Sequence, residues 1–261
     1  MSIIALITDF GTSDGYVGSM KGVMLGINPS VTLVDITHAI APGDIASAAF
    51  VLFSTFNDFP PSTIFLAIVD PGVGSGRKAL GVKAGPYYFI GPDNGILTLA
   101  YNKIGKPSIR SLENASFFNN AISPTFHGRD IFGTVAAHLS KSIASFKKLG
   151  PELSSIVQYG FSPVLIKGKK IQGTVIYIDR FGNCITSIEK AFLGRLNSTR
   201  IFITIKSRRA FPVCACYSNI PKGKPLGIIG SSGFLEISIN QGTAAKSFNL
   251  AIGDKVELHG E

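Results

Sequence analysis

Asp70 and Arg77 stand seven residues apart in the run Val69-Asp70-Pro71-Gly72-Val73-Gly74-Ser75-Gly76-Arg77. An acid at the carboxyl end of a buried strand, with a base seven residues on, occupies the place where open α/β sheets put their ligands. His127, in Phe126-His127-Gly128-Arg129-Asp130, is the third candidate. Its imidazole is the side chain whose unperturbed pKa lies close enough to neutrality to hold or take a proton. The competing reading is structural: an Asp that caps backbone amides, an Arg that faces water, and a histidine packed for shape. His38, His138 and His259 fall at a strand end, inside a predicted helix and near the terminus.

Further carboxylates accompany this set. Asp9, Asp14, Asp70 and Asp93 all lie in or just after strand-end turns, which an open α/β sheet gathers along one edge. Four acids there suit a cationic or hydroxyl-rich ligand such as a ribose better than a bare phosphate, and each can equally be a turn-forming residue. Later in the chain, Asp179-Arg180-Phe181-Gly182-Asn183, Gly230-Ser231-Ser232-Gly233-Phe234-Leu235-Glu236 and Asn240-Gln241-Gly242 interrupt strand patterns. Together they suit a pocket with an aromatic plate, an amide that reads a base edge and backbone amides for a carboxylate; singly, each is also a hairpin. Walker, dinucleotide and HExxH patterns are missing from the sequence. A metal held by Asp70, His127 and Asp130 lacks the usual ligand spacing, so no metal is expected.

The elements that must position these residues follow from periodicity. Ile3–Ile7, Val31–Ile36 and Thr63–Val69 are short apolar runs that end on polar tips. Between them, a helix through Tyr16, Val17, Met20, Met24 and Ile27 and another over 45–56 are read, with Ser13 or Asp14 as a cap for the first. Ala79–Val82 and Tyr87–Ile90 flank Gly85-Pro86 as two further strands, a short helix covers Ile96–Tyr101, and another spans Ile131–Leu139 with Asp130 as its cap. This rhythm is doubly wound α/β. Lys141–Pro163 reads as a surface connector. Beyond it, Lys170–Ile178, Asn183–Ile188, Arg200–Lys206, Pro225–Ile229, Phe234–Ile239 and Lys255–His259 are strand-like with no long helix between them, as in a small all-β barrel or sandwich. The reading is therefore an α/β domain over residues 1–160 and a barrel-like domain over 161–261.

Composition narrows the function classes. The chain has 261 residues, 45% hydrophobic and 16% charged, and no apolar run long enough to span a membrane. The opening Met1–Asp9 lacks the basic region of a signal peptide and reads as a strand, so the cytoplasm is the expected location. Three cysteines, Cys184, Cys214 and Cys216, predict neither a disulfide framework nor a zinc site. The net charge of +9 sits mostly in residues 161–261, which hold 14 Lys and Arg against 6 Asp and Glu. Such a field can draw an anion, but aromatic interleaving is sparse and no nucleic-acid module is recognisable, so a solvated basic face is expected rather than a nucleic-acid partner.

Taken in order, Asp9-Phe10-Gly11-Thr12-Ser13-Asp14-Gly15, Val69-Asp70-Pro71-Gly72-Val73-Gly74, Gly91-Pro92-Asp93-Asn94-Gly95, Phe126-His127-Gly128-Arg129-Asp130, Asp179-Arg180-Phe181-Gly182-Asn183 and Gly230-Ser231-Ser232-Gly233 resemble the S-adenosyl-L-methionine hydroxide adenosyltransferases. The resemblance covers nearly the whole chain. It implies hydrolysis of S-adenosyl-L-methionine to adenosine and methionine without a cofactor, on a homotrimer whose active sites lie between subunits. By resemblance, Asp70, Arg77 and His127 activate the attacking water, and Asp9 takes the ribose diol with Asp14 nearby. Asp179 takes the substrate ammonium, Phe181 and Asn183 lie near the adenine, and Ser231, Ser232 and Glu236 surround the methionine portion. The halogenating relatives carry an arginine after that serine, where this chain has Ser232, so backbone amides must hold more of the substrate carboxylate. Two alternatives accompany the reading: a halogenase that forms 5′-halo-5′-deoxyadenosine, and a binding protein for an adenosyl ligand.

Overall fold

The computed structural model describes residues 2–205 and 211–261. The chain divides into one unit that runs to Gly160 and another from Phe161 to Glu261.

The first unit contains β1 (Ile3–Thr8), β2 (Thr32–Thr37), β3 (Ile64–Ile68), β4 (Ala79–Ala84), β5 (Tyr87–Pro92) and β6 (Ser108–Ser111). They form a six-stranded sheet in the order β2-β1-β3-β5-β4-β6. The pairs β1–β2, β1–β3 and β3–β5 are parallel. β4 runs antiparallel to both β5 and β6, because the tight turn at Gly85-Pro86 reverses the chain and cannot make a parallel crossover. The sheet is thus mixed at one edge. Its faces are covered by α1 (Tyr16–Ile27), α2 (Ile45–Thr55), α3 (Thr98–Ile104) and α4 (Thr134–Lys141). Ile4, Leu6, Ile64 and Leu66 pack with Met20, Met24, Val135 and Leu139 on one side. Ala5, Ile7, Phe65 and Phe89 pack with Ala48, Leu52, Ala100 and Tyr101 on the other. Successive strand residues point to opposite faces, so a strand buried on both must be apolar throughout, which is why β1 and β3 carry no polar alternation. Chain order reverses at β1, with β2 to one side and β3 to the other, and Asp9 and Asp70 follow the carboxyl ends of this adjacent pair. That is the crevice at a topological switch point.

Three local expectations change. α1 begins after Gly15 with no side-chain cap, so neither Ser13 nor Asp14 serves as one. The segment after His127 opens as a π-helical turn over Gly128–Gly133 before α4 begins, and Asp130 is buried inside that turn instead of capping it. The stretch after Lys141 is more than a surface connector, since Phe146 and Leu149 enter the core of the first unit.

The second unit contains β7 (Leu165–Lys167), β8 (Lys170–Ile178), β9 (Cys184–Glu189), β10 (Ile201–Ile205), β11 (Phe211–Cys214), β12 (Pro225–Ile229), β13 (Phe234–Ile239) and β14 (Lys255–Gly260). Pairing of β14 with β8 closes seven of them into a barrel, with β7 added outside on β8. Ile171, Val175, Ile203, Ile205, Leu235, Ile237, Val256 and Leu258 fill it from alternate positions. Closure leaves few open strand edges, so this unit needs no long covering helix. Lys206, the last residue of the strand predicted from Arg200, lies outside the described residues, as does Met1. Cys184, Cys214 and Cys216 are free thiols. Among the described residues no helix is long and apolar enough to cross a membrane.

Phe89 is fully buried and stacks on Phe65 with centroids 5.3 Å apart and planes at 19°. Phe89→Ala opens a cavity under the switch-point strands and is expected to cost about 3–5 kcal/mol. A lower denaturant midpoint in urea unfolding, followed by far-UV circular dichroism, checks this.

Candidate active site

Asp70 sits two residues past the end of β3, where the backbone leaves the ladder and turns. Gly74 makes the turn possible: its φ is +78°, and a Cβ there would lie 2.7 Å from the Pro124 carbonyl oxygen. The turn returns Arg77 onto Asp70. Arg77 Nε donates to Asp70 Oδ1 at 3.0 Å and to Oδ2 at 2.9 Å, and Arg77 Nη2 also donates to Oδ2. The same Nη2 lies 3.1 Å from His127 Nδ1. The three residues predicted from their types are thus brought together as one chain, with Arg77 in the middle. Only 6% of the Asp70 side chain and 12% of that of Arg77 are exposed. The Arg77 guanidinium also lies 5.1 Å from the Phe132 ring centroid.

A guanidinium has no acceptor, so the Arg77–His127 bond has one possible direction: Nη2 donates and Nδ1 accepts. Neutral His127 in this arrangement carries its proton on Nε2. Burial, and then the Arg77 charge, hold its pKa below the ordinary 6.5 against the opposing pull of Asp70 and Asp130. His127 is therefore neutral near pH 7 and offers an N–H donor.

His127, Asp70 and Asp9 line a cavity of about 490 Å³ with Phe10, Tyr16 and Phe126. Those three rings meet at centroid distances of 5.3 to 6.1 Å. Asp9 Oδ2 accepts from the Gly43 amide at 2.9 Å. Asp14 lies on an exposed turn and is not among the lining residues. Asp93 is spent on structure, since its Oδ1 accepts from the Val157 amide at 2.8 Å. Asp130 is fully buried. Burial works to raise it, but hydrogen bonds from Arg129, Asn119 and the Ser123 amide outweigh that and hold it at about 2. It thereby ties the loop that carries Ser123 to Phe126 down onto the π turn. The aromatic trio escaped the sequence reading because Tyr16 shares the apolar spacing of its helix, and no local signal separates a lining ring from a core ring.

In the second unit, Asp179 and Asn183 close one turn. Asp179 Oδ1 accepts from the Asn183 amide at 2.8 Å and Oδ2 from Asn183 Nδ2 at 2.9 Å. Gly182 takes φ +82°, and any Cβ there would meet Thr243 Cγ2 at 2.2 Å. Phe181 stands at the tip, 77% exposed, and with Asn183, Tyr217, Asn240, Gln241 and Thr243 lines a groove of about 560 Å³. The Gly230–Gly233 turn is closed by Gly233 N donating to Gly230 O at 3.0 Å, which leaves the Ser231 and Ser232 amides unused by the turn itself. Ser231 is exposed, whereas the Ser232 hydroxyl is buried without a partner among the described residues. The Glu236 carboxyl packs against the Gly230 α-carbon, at a distance no side chain would allow. Burial, and then the charge of Asp179, push Glu236 up to about 7. Tyr217 and Thr243 had no sequence signal, since chain reversal alone brings them beside Phe181. Among the described residues, no three His, Cys, Asp or Glu side chains are grouped as metal ligands.

A mixed α/β unit with a carboxylate–guanidinium–imidazole chain at its switch point, followed by a seven-stranded barrel, defines a distinct two-domain class. The profile of the SAM hydroxide adenosyltransferase N-terminal domain matches residues 4–150, and that of the C-terminal domain matches residues 173–257. The chain belongs to the SAM hydroxide adenosyltransferase family. It is 35% identical to the (R)-S-adenosyl-L-methionine hydrolase of Thermus thermophilus, over 99% of this chain and 100% of that one. It is 36% identical to the hydrolase of the same name from Methanocaldococcus jannaschii, over 99% and 96%. A fluorinase of Actinoplanes is 27% identical over 96% of this chain and 95% of its own. Among solved structures, an uncharacterized conserved protein from Thermotoga maritima superposes with a TM-score of 0.92 at 36% identity, covering 98% of this chain and 99% of its own.

The raised Glu236 makes a stability prediction. Its neutral form is favoured in the folded state, so its contribution is greatest below the ordinary 4.5 and is lost as pH climbs to about 7. Because the group is partly exposed, the loss is discounted to about 1 kcal/mol. Glu236→Gln is then expected to match the wild type in Tm near pH 4.5 and to exceed it by roughly 2–4 °C at pH 8. Thermal melts across that range test it.

Proposed function

We propose that this protein hydrolyses S-adenosyl-L-methionine to adenosine and L-methionine by attack of water on C5′. The observation that carries the reading is the Asp70–Arg77–His127 chain in the cavity that also holds Asp9. Membership of the family and the hydrolase relatives at 35 and 36% identity support the same chemistry.

The reaction puts little demand on acid catalysis. The sulfonium leaves as a neutral thioether, so no leaving-group proton is needed. The difficulty is the nucleophile, since water has a pKa near 15.7. His127 donates from Nε2 to the water oxygen and fixes it, while Arg77 holds the ring. Asp70 Oδ1, bonded by Arg77 Nε alone among the described residues, accepts a proton of that water as the oxygen–carbon bond forms. The carbon–sulfur bond breaks with its electron pair going to sulfur. Water and the sulfonium yield adenosine, methionine and one proton.

Asp9 binds the ribose diol, its Oδ2 already oriented by the Gly43 amide. Asp14 follows Asp9 on the exposed turn ahead of α1. Asp179 takes the ammonium, with Glu236 next to it. Phe181 and Asn183 receive the adenine. The Ser231 and Ser232 amides and the unpartnered Ser232 hydroxyl supply donors for the substrate carboxylate, in place of the arginine of halogenating relatives. The assembly is a homotrimer in which each substrate is held by one subunit's first unit and its neighbour's second.

Purified protein incubated with S-adenosyl-L-methionine should release adenosine, seen by chromatography, and acidify a weakly buffered solution. Formation of 5′-halo-5′-deoxyadenosine in molar chloride or fluoride would move the assignment to a halogenase, and intact substrate bound for many hours would move it to a binding protein. His127→Ala should lower kcat by roughly 10²-fold or more and leave adenosine affinity in place. Wild-type kcat/KM should fall on acidification through a pKa below 6.5, since protonation at Nδ1 breaks the bond from Arg77. Light scattering should report a trimer. Mixing Asp70→Ala with Asp179→Ala subunits should restore part of the activity, whereas sites built within one chain would stay dead.

A further inference from the structure

His38 is a buried titratable residue that the reaction above does not use. Only 3% of its side chain is exposed, just past the end of β2. Its Nδ1 lies 2.8 Å from Thr8 Oγ1. Its Nε2 comes within 3.0 Å of Asp35 Oδ1, off the axis of a linear hydrogen bond. Lys21 Nζ, on α1, donates to Asp35 Oδ2 at 2.6 Å. Burial alone would raise Asp35, but the bond from Lys21 and the nearby His38 imidazole outweigh it and hold the carboxyl below its ordinary range.

This chain ends on the residues that follow Asp9. Thr8 Oγ1 accepts from the Phe10 amide at 3.2 Å, and the His38 carbonyl accepts from the Gly11 amide at 2.8 Å. The Phe10 amide is therefore linked to the His38 imidazole by way of Thr8, while the Gly11 amide is held by the His38 backbone carbonyl. The Thr8 hydroxyl, already accepting from Phe10, has its single proton free for His38 Nδ1, which leaves the imidazole proton on Nε2 toward Asp35. The chain links α1, β2 and β1 at the sheet edge where Asp9 emerges. The Asp9 side chain itself accepts from the Gly43 amide.

We infer that the Lys21–Asp35–His38–Thr8 chain is a positioning device for Asp9, and that His38 is a positioning residue for recognition of the ribose diol. The inference rests on the reading of Asp9 as the diol ligand, and the test separates the two. Calorimetry measures the preference of the full-length protein for adenosine over 2′,3′-dideoxyadenosine, with Tm recorded alongside. Asp9→Ala should abolish the preference. His38→Ala should lose roughly tenfold of it while its affinity for the dideoxynucleoside is unchanged, as expected for one misdirected hydrogen bond to a charged group. His38→Asn, whose side-chain oxygen can accept from Thr8, should recover most of the loss, and Thr8→Val, close to native in shape, should reproduce it if His38→Ala does not fold. A wild-type preference in His38→Ala or Thr8→Val, with only Tm lowered, overturns the inference and leaves the role of Asp9 standing. A wild-type preference in Asp9→Ala removes the diol reading itself, and the inference with it.

Discussion

The site hangs on the Arg77 guanidinium. Among the described residues it is the one group that touches both the carboxylate and the imidazole, and its inability to accept a hydrogen bond sets the tautomer of His127. Burying such a pair is costly, since both ions lose hydration. Two-point bonding to Asp70, the bond to His127 and the Phe132 ring beside the guanidinium offset that cost. With Arg77 absent, Asp70 would be a buried charge with no counter-ion, and His127 would be free to choose its tautomer. The glycine-rich turn exists to make this closure possible, because only a glycine at position 74 lets it press against the Pro124 carbonyl.

The sheet supplies what a turn by itself cannot, a fixed origin. β1 and β3 are buried on both faces, so the points at which Asp9 and Asp70 leave the ladder are held by close-packed side chains on two sides. The third member arrives from a different direction. His127 precedes a π turn whose buried Asp130 ties down the loop ahead of it, so its ring position depends on an ion pair with Arg129 and on the amide of Ser123. Irregular backbone of this kind is a recurrent feature of functional sites, where one extra residue per turn redirects a side chain.

The second unit does a different job with different chemistry. Its polar groups sit on hairpin turns of a closed barrel, where Asp179 orders its own turn through Asn183 and Glu236 is raised by burial and by that same Asp179. A rigid barrel with exposed tips presents an aromatic ring such as Phe181 at little entropic cost, since the strands behind it are fixed.

How much of this was legible beforehand follows from the range of the forces involved. Unbroken apolar runs reveal strands buried on both faces, and glycine–proline punctuation reveals the turns, because both are set by neighbours in sequence. β12 and β13 were readable to the residue for that reason. Asp70, Arg77 and His127 were legible as types in motifs, but the closure of Arg77 onto Asp70 was not, since a glycine-rich turn can point its two ends apart as easily as together. Local sequence held no sign that Arg77 donates to His127 fifty positions away, and hence none of which nitrogen carries the proton. It misplaced Asp130 as a cap, because capping is the local optimum for an acid ahead of a helix, whereas packing buries it with Arg129. The aromatic trio, the Gly43 amide on Asp9 and the chain through His38 lay beyond it for the same reason. Residue types and short spacings are properties of the chain, whereas the direction of a hydrogen bond between distant segments is decided only when the sheet brings their ends to one edge.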